Sequence, residues 1–311
     1  MTDSGIVLAS KQPTLTGRLR WSAAVTSVIC GLIIGYATTG GKWVQTCLVA
    51  LPVALAFTFG GHVGGLLSIC GSLTAYTGVI AVLDLVRPKT SIHPGITYAT
   101  VTLGIAFLSF TMTTGQRSSL PEKSIRVPWE DAAVLLVALV SGYLALRWTR
   151  STDLQFLNSI GGSEDNAAWI SGTRTFVEGT MTPGFLAHPT AKSPVTGTLL
   201  GFFADIHALS ERGTPQHLVA LRALRTAYAF LITTTALAAV LWVTGVARRA
   251  GTIRSVSVIA SVAIGVSVVG ITSQLFVGYG FLSFINGIAF LLIVLVGFDF
   301  VFGDLLLRPI S

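Results

Sequence analysis

About eight apolar runs, each close to the length that a helix needs to cross a bilayer, limit what this sequence can fold into. A hydrocarbon core about 30 Å thick takes roughly 20 residues of helix, and lipid tolerates no unpaired backbone group. The runs cover residues 21–39, 44–59, 63–83, 96–112, 132–148, 227–246, 256–275 and 281–301. The sequence therefore predicts an all-α, polytopic membrane bundle of about eight transmembrane helices.

Composition supports this prediction. Hydrophobic residues make up 52% of the chain and charged residues only 11%, against about 25% charged in ordinary soluble domains. A soluble globular protein and a disordered chain are both excluded by this balance. The net charge of +7 lies mostly at the edges of apolar runs, as in membrane proteins, so a nucleic-acid partner is not expected. Three cysteines inside apolar runs argue against a disulfide framework.

The distribution of basic residues predicts the orientation of the chain in a plasma membrane. With the N-terminus in the cytoplasm, short outside loops carry only Lys42, Arg87 and Lys89, and most other basic residues flank the inside ends of spans. This arrangement places the C-terminus in the cytoplasm. It also places the long segment between the fifth and sixth spans outside.

Three units follow from this topology. Residues 1–148 form an N-terminal membrane bundle of about five spans, and residues 149–218 form an extracytoplasmic loop that holds the candidate active site. Residues 219–311 form a C-terminal bundle of about three spans, which leaves room for continuation in a longer chain. Within the first unit, the glycine-rich residues 60–65 predict a turn or close helix packing.

The outer loop carries the start and stop signals of two helices. Ser163 is suited to cap the first helix, the acids that follow fit the positive end of its dipole, and Gly179 ends it. Ser193 with Pro194 starts the second helix, and Gly213 follows its end. Both helices carry an apolar stripe, so we expect amphipathic helices that lie in the membrane interface.

A third helix begins at Thr214 and Pro215 and continues without a break into the sixth span. It carries His217, Arg222 and Arg225 close to the outer membrane surface. Together with the acids of the first helix, these residues suit sugar transfer from a lipid-linked donor. A carboxylate can take a proton from an acceptor hydroxyl, and a cation can neutralise the phosphate that leaves. Acids in a first turn also serve as helix caps, and basic residues near an interface also anchor lipid headgroups.

The residues of this loop resemble the first outer loop of membrane glycosyltransferases of the GT-C class, which use polyprenyl-phosphate sugars. The resemblance lies in residues 161–170 (GGSEDNAAWI) with Arg174 and Gly179, and in Lys192 with Pro194 at the start of the second helix. It implies that Glu164 or Asp165 holds the catalytic position and that Lys192 contacts the donor phosphate.

We therefore predict an integral membrane glycosyltransferase that acts on the outer face with a polyprenyl-phosphate sugar donor and a glycan, lipid or protein acceptor. The predicted catalytic residues are Asp165 and Glu164. The predicted donor-phosphate residues are Lys192, Arg222, Arg225 and His217, and the predicted substrate-binding residues are Asn166, Trp169, Arg174 and His188. Glu164, Asp165 and Asp205 are the predicted ligands if a cation, Mg²⁺ or Mn²⁺, is used.

Two alternatives remain open. In a multi-pass transporter or lipid flippase, the long outer segment is a gate and polar groups inside the spans line the path. In a non-catalytic subunit of a larger complex, small residues such as Gly265 and Gly270 pack against a partner membrane subunit. Membrane lipids are expected neighbours under all three hypotheses.

Overall fold

The computed structural model describes residues 42–86, 95–116, 152–159, 164–177, 194–249, 262–267 and 282–306, with the single residues 140, 259 and 270. Within these residues the protein is all helical and contains no strand, which confirms the predicted fold class at this level. The main helices are α1 Lys42–Val86, α2 Ile96–Gln116, α3 Asp153–Ser159, α4 Glu164–Val177, α5 Pro194–Ser210, α6 Gln216–Arg249 and α7 Leu282–Leu306. Predicted spans 21–39, 132–148 and 256–275 lie wholly or mostly outside the described residues.

Helix α1 doubles back on itself. A straight helix of its 45 residues would be about 67 Å long, yet Val49 and Leu73 line the same small apolar cavity. A Cβ atom added at Gly65 would lie 3.0 Å from the carbonyl oxygen of Ala56, nine residues earlier. In a straight helix these residues lie on opposite sides and about 13 Å apart along the axis. The chain must therefore reverse direction between them.

The reversal falls at the glycine-rich run, where the sequence predicts a turn or close packing. A Cβ at Gly60 would lie only 2.6 Å from the backbone nitrogen of Gly65, so no larger residue fits there without a shift. The two arms of α1 contain the apolar helices Val44–Gly60 and Val63–Leu83. They correspond closely to the second and third predicted spans.

Two helices of the described chain are long and apolar enough to cross a membrane, Val63–Leu83 and Gln216–Val243. Four more apolar helices are shorter: Val44–Gly60, Ile96–Thr111, Val195–Ser210 and Leu282–Phe298. The exposed side chains of α2 and α7 include Phe107, Leu291, Val294 and Phe298, which a soluble protein would rarely leave uncovered. These features support membrane association.

Helix α5 lies at the centre of the bundle, where it contacts α1, α2, α4, α6 and α7. Every residue from 196 to 207 is buried. The prediction that this helix lies in the interface with one apolar face is therefore wrong for the second helix of the loop. Its predicted end is confirmed, because α5 stops at Ser210 and Gly213 adopts a φ of 84° in the turn that follows.

The polar side chains of α5 are buried because neighbouring helices satisfy them. The Asn286 amide nitrogen donates to the Thr196 hydroxyl oxygen over 2.8 Å. The hydroxyl oxygens of Thr198 and Thr77 lie 2.7 Å apart within hydrogen-bonding distance. Side-chain hydrogen bonds of this kind join neighbouring helices and satisfy polar groups inside the bundle. A local hydrophobicity pattern contains no information about such partners.

A tight contact between α1 and α2 at Gly104 leads to a testable prediction. A Cβ at Gly104 would lie 3.2 Å from the Ser72 Cβ and closer still to the Ser72 hydroxyl oxygen, which already donates to the Val101 carbonyl over 2.7 Å. We expect Gly104→Ala to destabilise the protein by about 1–3 kcal/mol through overpacking. Thermal unfolding in detergent measures this loss. The matched control is Gly78→Ala, since nothing lies within 4 Å of a Cβ at Gly78; equal melting temperatures of the two variants would contradict the prediction.

Candidate functional site

The short helix α3 begins with a reciprocal capping pair. The Gln155 backbone N–H donates to the Thr152 hydroxyl oxygen over 3.2 Å, and the Thr152 backbone N–H donates to the Gln155 side-chain oxygen over 2.9 Å. This is a capping box, which fixes the start of a helix by satisfying two backbone donors. It places Asp153 in the first turn and turns Phe156 into the bundle, where Phe156 is fully buried.

Asp153 forms ion pairs with two arginines of α6. Arg222 donates to its Oδ2 from Nε over 3.0 Å and from Nη2 over 2.7 Å. Arg225 donates from Nη1 to the Asp153 Oδ1 over 3.2 Å. The arginines are three residues apart and therefore share one side of α6. The Arg225 guanidinium also lies over the Phe156 ring, 6.0 Å from its centroid.

Glu211, in the turn between α5 and α6, binds the remaining side of the Arg222 guanidinium. We call Asp153, Glu211, Arg222 and Arg225 the acid–arginine cluster. Two carboxylates balance two guanidinium groups, so its formal charge is zero. The Asp153, Glu211 and Arg222 side chains are 22–25% exposed, which leaves the cluster within reach of solvent or a ligand.

His207 lies beneath this cluster and is 1% exposed. Its Nε2 lies 2.9 Å from the Thr226 hydroxyl oxygen and 3.3 Å from the Gln45 amide nitrogen. Its Nδ1 lies 3.4 Å from the Glu211 Oε1. His207 therefore connects the acid–arginine cluster to α1 and α6.

Glu211 provides a prediction about acid stability. Burial alone raises the pKa of Glu211, but its contacts with His207 and Arg222 outweigh burial and lower the pKa below its usual value. A lowered pKa contributes stability above the pKa of the unfolded chain, and this contribution is lost as pH falls through the folded-state pKa. We expect the melting temperature of the wild type to fall more steeply than that of Glu211→Gln between about pH 5 and about pH 3. The difference corresponds to up to about 1 kcal/mol; parallel curves would contradict it.

Helix α4 confirms the first helix predicted between the fifth and sixth spans. The Asp165 side chain is exposed on the surface of this helix. Its buried side includes Asn166 and Trp169, and the Tyr228 hydroxyl donates to the Asn166 Oδ1 over 2.8 Å. Asp165 and Arg174 are exposed. Trp169 packs into the bundle, whereas the Asp165 side chain stays outside. Asn166 and Trp169, predicted to bind substrate, here anchor α4 to α6 and the core.

Helices α3 and α4 meet neighbouring positions on α6. Arg225 contacts α3, and Tyr228, three residues later, contacts α4. This separation is about 4.5 Å along the axis of α6. The exposed carboxylate of Asp165 therefore belongs to a helix that is anchored about one turn from the acid–arginine cluster.

Of the other predicted site residues, the structure describes the side chains of His217 and Asp205. His217 is exposed on the first turn of α6. Asp205 is buried, and its Oδ2 accepts the Tyr98 backbone N–H over 3.1 Å at the start of α2, where the helix dipole favours a carboxylate. Lys192, His188 and the side chain of Glu164 lie outside the described residues.

The predicted metal ligands differ in their surroundings, since Asp165 is exposed and Asp205 is buried. Among the residues that the structure describes, no group of three or more His, Cys, Asp or Glu side chains could hold a metal ion. A Mg²⁺ or Mn²⁺ ion stays a prediction.

Nothing in the sequence marks Asp153, Glu211 or His207 as functional residues. The capping box Thr152-Asp153-Leu154-Gln155 is a sequence signal for the start of α3. No comparable signal exists for the pairing itself, because Asp153 and Arg222 are 69 residues apart in the chain.

No protein-family profile, curated protein or solved structure matches this chain.

Proposed function

We propose that this protein is an integral membrane glycosyltransferase. In this proposal it takes a sugar from a polyprenyl-phosphate donor and transfers it to a glycan, lipid or protein hydroxyl on the outer face of the membrane. The observation that carries the proposal is the exposed carboxylate of Asp165, on a helix anchored by buried side chains next to a pair of arginines. The resemblance of residues 161–170 to the GT-C class supports the same activity.

Asp165 is suited to act as a general base because its helix is fixed from below. The Asn166–Tyr228 hydrogen bond and the buried Trp169 hold α4 against the bundle. A base on a fixed helix has only its own side chain to order when the substrates bind. Asp165 itself remains accessible, so an acceptor hydroxyl can approach it.

The reaction needs one base that accepts a proton, and cationic groups that stabilise the negative charge on the leaving phosphate. The acceptor oxygen attacks the anomeric carbon of the donor sugar, its proton passes to Asp165, and the bond between this carbon and the phosphate oxygen breaks. Polyprenyl phosphate leaves with the bonding electrons. Arg222 and Arg225, with Lys192, stabilise the charge that develops on its oxygens.

Access from lipid follows from the outer surface of the bundle. The exposed side chains of α2 and α7 are largely apolar, and two helices of the described part of the chain are long and apolar enough to cross a bilayer. In the proposed topology about eight spans, with both termini in the cytoplasm, hold the site at the outer surface of the plasma membrane. A donor with a long isoprenoid tail can then reach the site sideways while its tail stays in the membrane.

Binding measurements on purified protein in nanodiscs test this proposal. We expect polyprenyl phosphate to bind at least tenfold more tightly than the neutral polyprenol of equal chain length, since a phosphate contact with arginine strengthens binding by more than about 1.4 kcal/mol. A radiolabelled polyprenyl-phosphate sugar should then lose its sugar to an acceptor. Equal binding of the phosphate and the alcohol contradicts the proposal. Movement of the lipid across vesicle membranes without sugar transfer contradicts it as well and favours a flippase.

A further inference from the structure

We propose that Arg222 and Arg225 form an anion site which Asp153 occupies in this structure, and that a lipid phosphate binds there by displacing α3. This inference rests on the proposed function, because the lipid phosphate that it places at the arginines is that of the proposed sugar donor. The helix α3 is in this view a latch whose carboxylate stands in for the phosphate.

The contacts of Asp153 are those that a phosphate makes. Three N–H groups, two from Arg222 and one from Arg225, converge on its two oxygens. The planar fork of arginine binds carboxylates and phosphates in the same way. Without Asp153, the cluster of Glu211, Arg222 and Arg225 carries a formal charge of +1, which favours an incoming anion.

The attachment of α3 to the bundle is small. The helix has seven residues and packs mainly on α6. Leu154 is 67% exposed and Leu157 is 47% exposed, and among the side chains of α3 that the structure describes only Phe156 is buried in the core. Among the described residues, the ion pairs of Asp153 and the burial of the Phe156 ring are therefore the principal contacts that hold α3 on α6. An anion that replaces Asp153 at the two arginines therefore removes a large part of the interactions between α3 and α6.

The position of Phe156 indicates a phosphate that carries an apolar chain. Its fully buried ring lies 6.0 Å from the Arg225 guanidinium, so release of α3 vacates an apolar space directly beside the two arginines. A ligand that fills both places joins an anionic group to a hydrocarbon. Free phosphate can pair with the arginines but leaves the ring space empty.

Hydrogen exchange of the α3 backbone tests the latch on the unmodified protein. We expect polyprenyl phosphate to speed exchange at residues 153–159 at least tenfold, because their helix leaves α6. Polyprenol should have no effect. Protection of α3, or unchanged exchange at saturating polyprenyl phosphate, overturns the proposal. An equal response to inorganic phosphate at the same concentration overturns the assignment to a lipid.

Substitution of the latch carboxylate provides a second test. Asp153→Asn should bind polyprenyl phosphate about tenfold more tightly than the wild type, since loss of a charge-assisted contact corresponds to a factor of this size. The control Asn158→Ala alters an exposed side chain of the same helix and should leave affinity unchanged. Unchanged or weaker binding by Asp153→Asn would mean that Asp153 only positions the arginines, and it overturns the latch.

The two proposals fail in different experiments. If Asp165→Asn retains sugar transfer, the proposed catalytic function fails, whatever α3 does. If sugar transfer occurs and depends on Asp165 while α3 exchange never responds to polyprenyl phosphate, only the latch fails.

Discussion

Replacing Asp165 by Asn is expected to slow sugar transfer by about 10²–10⁴-fold, the usual contribution of a general base. The substitution keeps the size and shape of the side chain but removes the group that accepts the proton. Because Asp165 is exposed on α4, the fold should be unaffected. Turnover of a radiolabelled polyprenyl-phosphate sugar measures the rate, and thermal unfolding checks the fold.

A neighbouring substitution provides the control for this experiment. Ala167 is exposed on the same helix, so Ala167→Ser should leave turnover within a factor of about two of the wild type, as for surface substitutions in general. Near-normal turnover of Asp165→Asn would remove this residue from the mechanism. An equal loss in both variants would indicate that the whole surface of α4 matters, and not its carboxylate.

Replacing Arg222 by Ala is expected to give the largest loss of stability in the cluster. The substitution leaves the carboxylates of Asp153 and Glu211 without the guanidinium that both of them bind. Removal of one partner from a fully buried ion pair costs about 3–5 kcal/mol, and from an exposed pair about 0–1 kcal/mol. Because the Arg222 side chain is only partly buried, we expect a loss of about 1–3 kcal/mol.

The pH dependence of the melting temperature distinguishes this electrostatic loss of stability from a loss of packing. Burial raises the pKa of Glu211, but its contacts with His207 and Arg222 lower it below its usual value, so the stability that Arg222 contributes through Glu211 is lost as the pH falls. The deficit of Arg222→Ala should therefore shrink as the pH is lowered towards about 4. Arg222→Lys keeps the charge but not the planar fork, and should lose less than Arg222→Ala. Melting temperatures at several pH values measure both effects. A deficit in Arg222→Ala that does not change with pH would indicate lost packing instead.

Local sequence signals were sufficient to locate several helices. Ser163 and the acids after it predicted α4, and Pro194 with Gly213 marked the limits of α5 within a few residues. The apolar runs 44–59 and 63–83 correspond to the two arms of α1, because the glycines between them permit the reversal. These features depend on a few neighbouring residues, which the sequence shows directly.

The environment of the helices could not be predicted in the same way. The hydrophobic stripe of α5 indicated one buried face, but its threonines and Asp205 pair with α1, α2 and α7, so all of its faces are buried. The position of Asp153 depends on Arg222 and Arg225, which come 69 and 72 residues later. Contacts over such distances arise from packing of the whole bundle and leave no local pattern.

The central position of α5 has a consequence for biosynthesis. Its neighbours α1 and α2 precede it in the chain, but α6 and α7 follow it, and Thr196 receives its hydrogen bond from Asn286 near the start of α7. During translation α5 therefore has no complete set of these partners until α7 has left the ribosome. A chain that stops before Leu282 must keep the polar side chains of α5 in an unfinished bundle, and we expect quality-control proteases to degrade it.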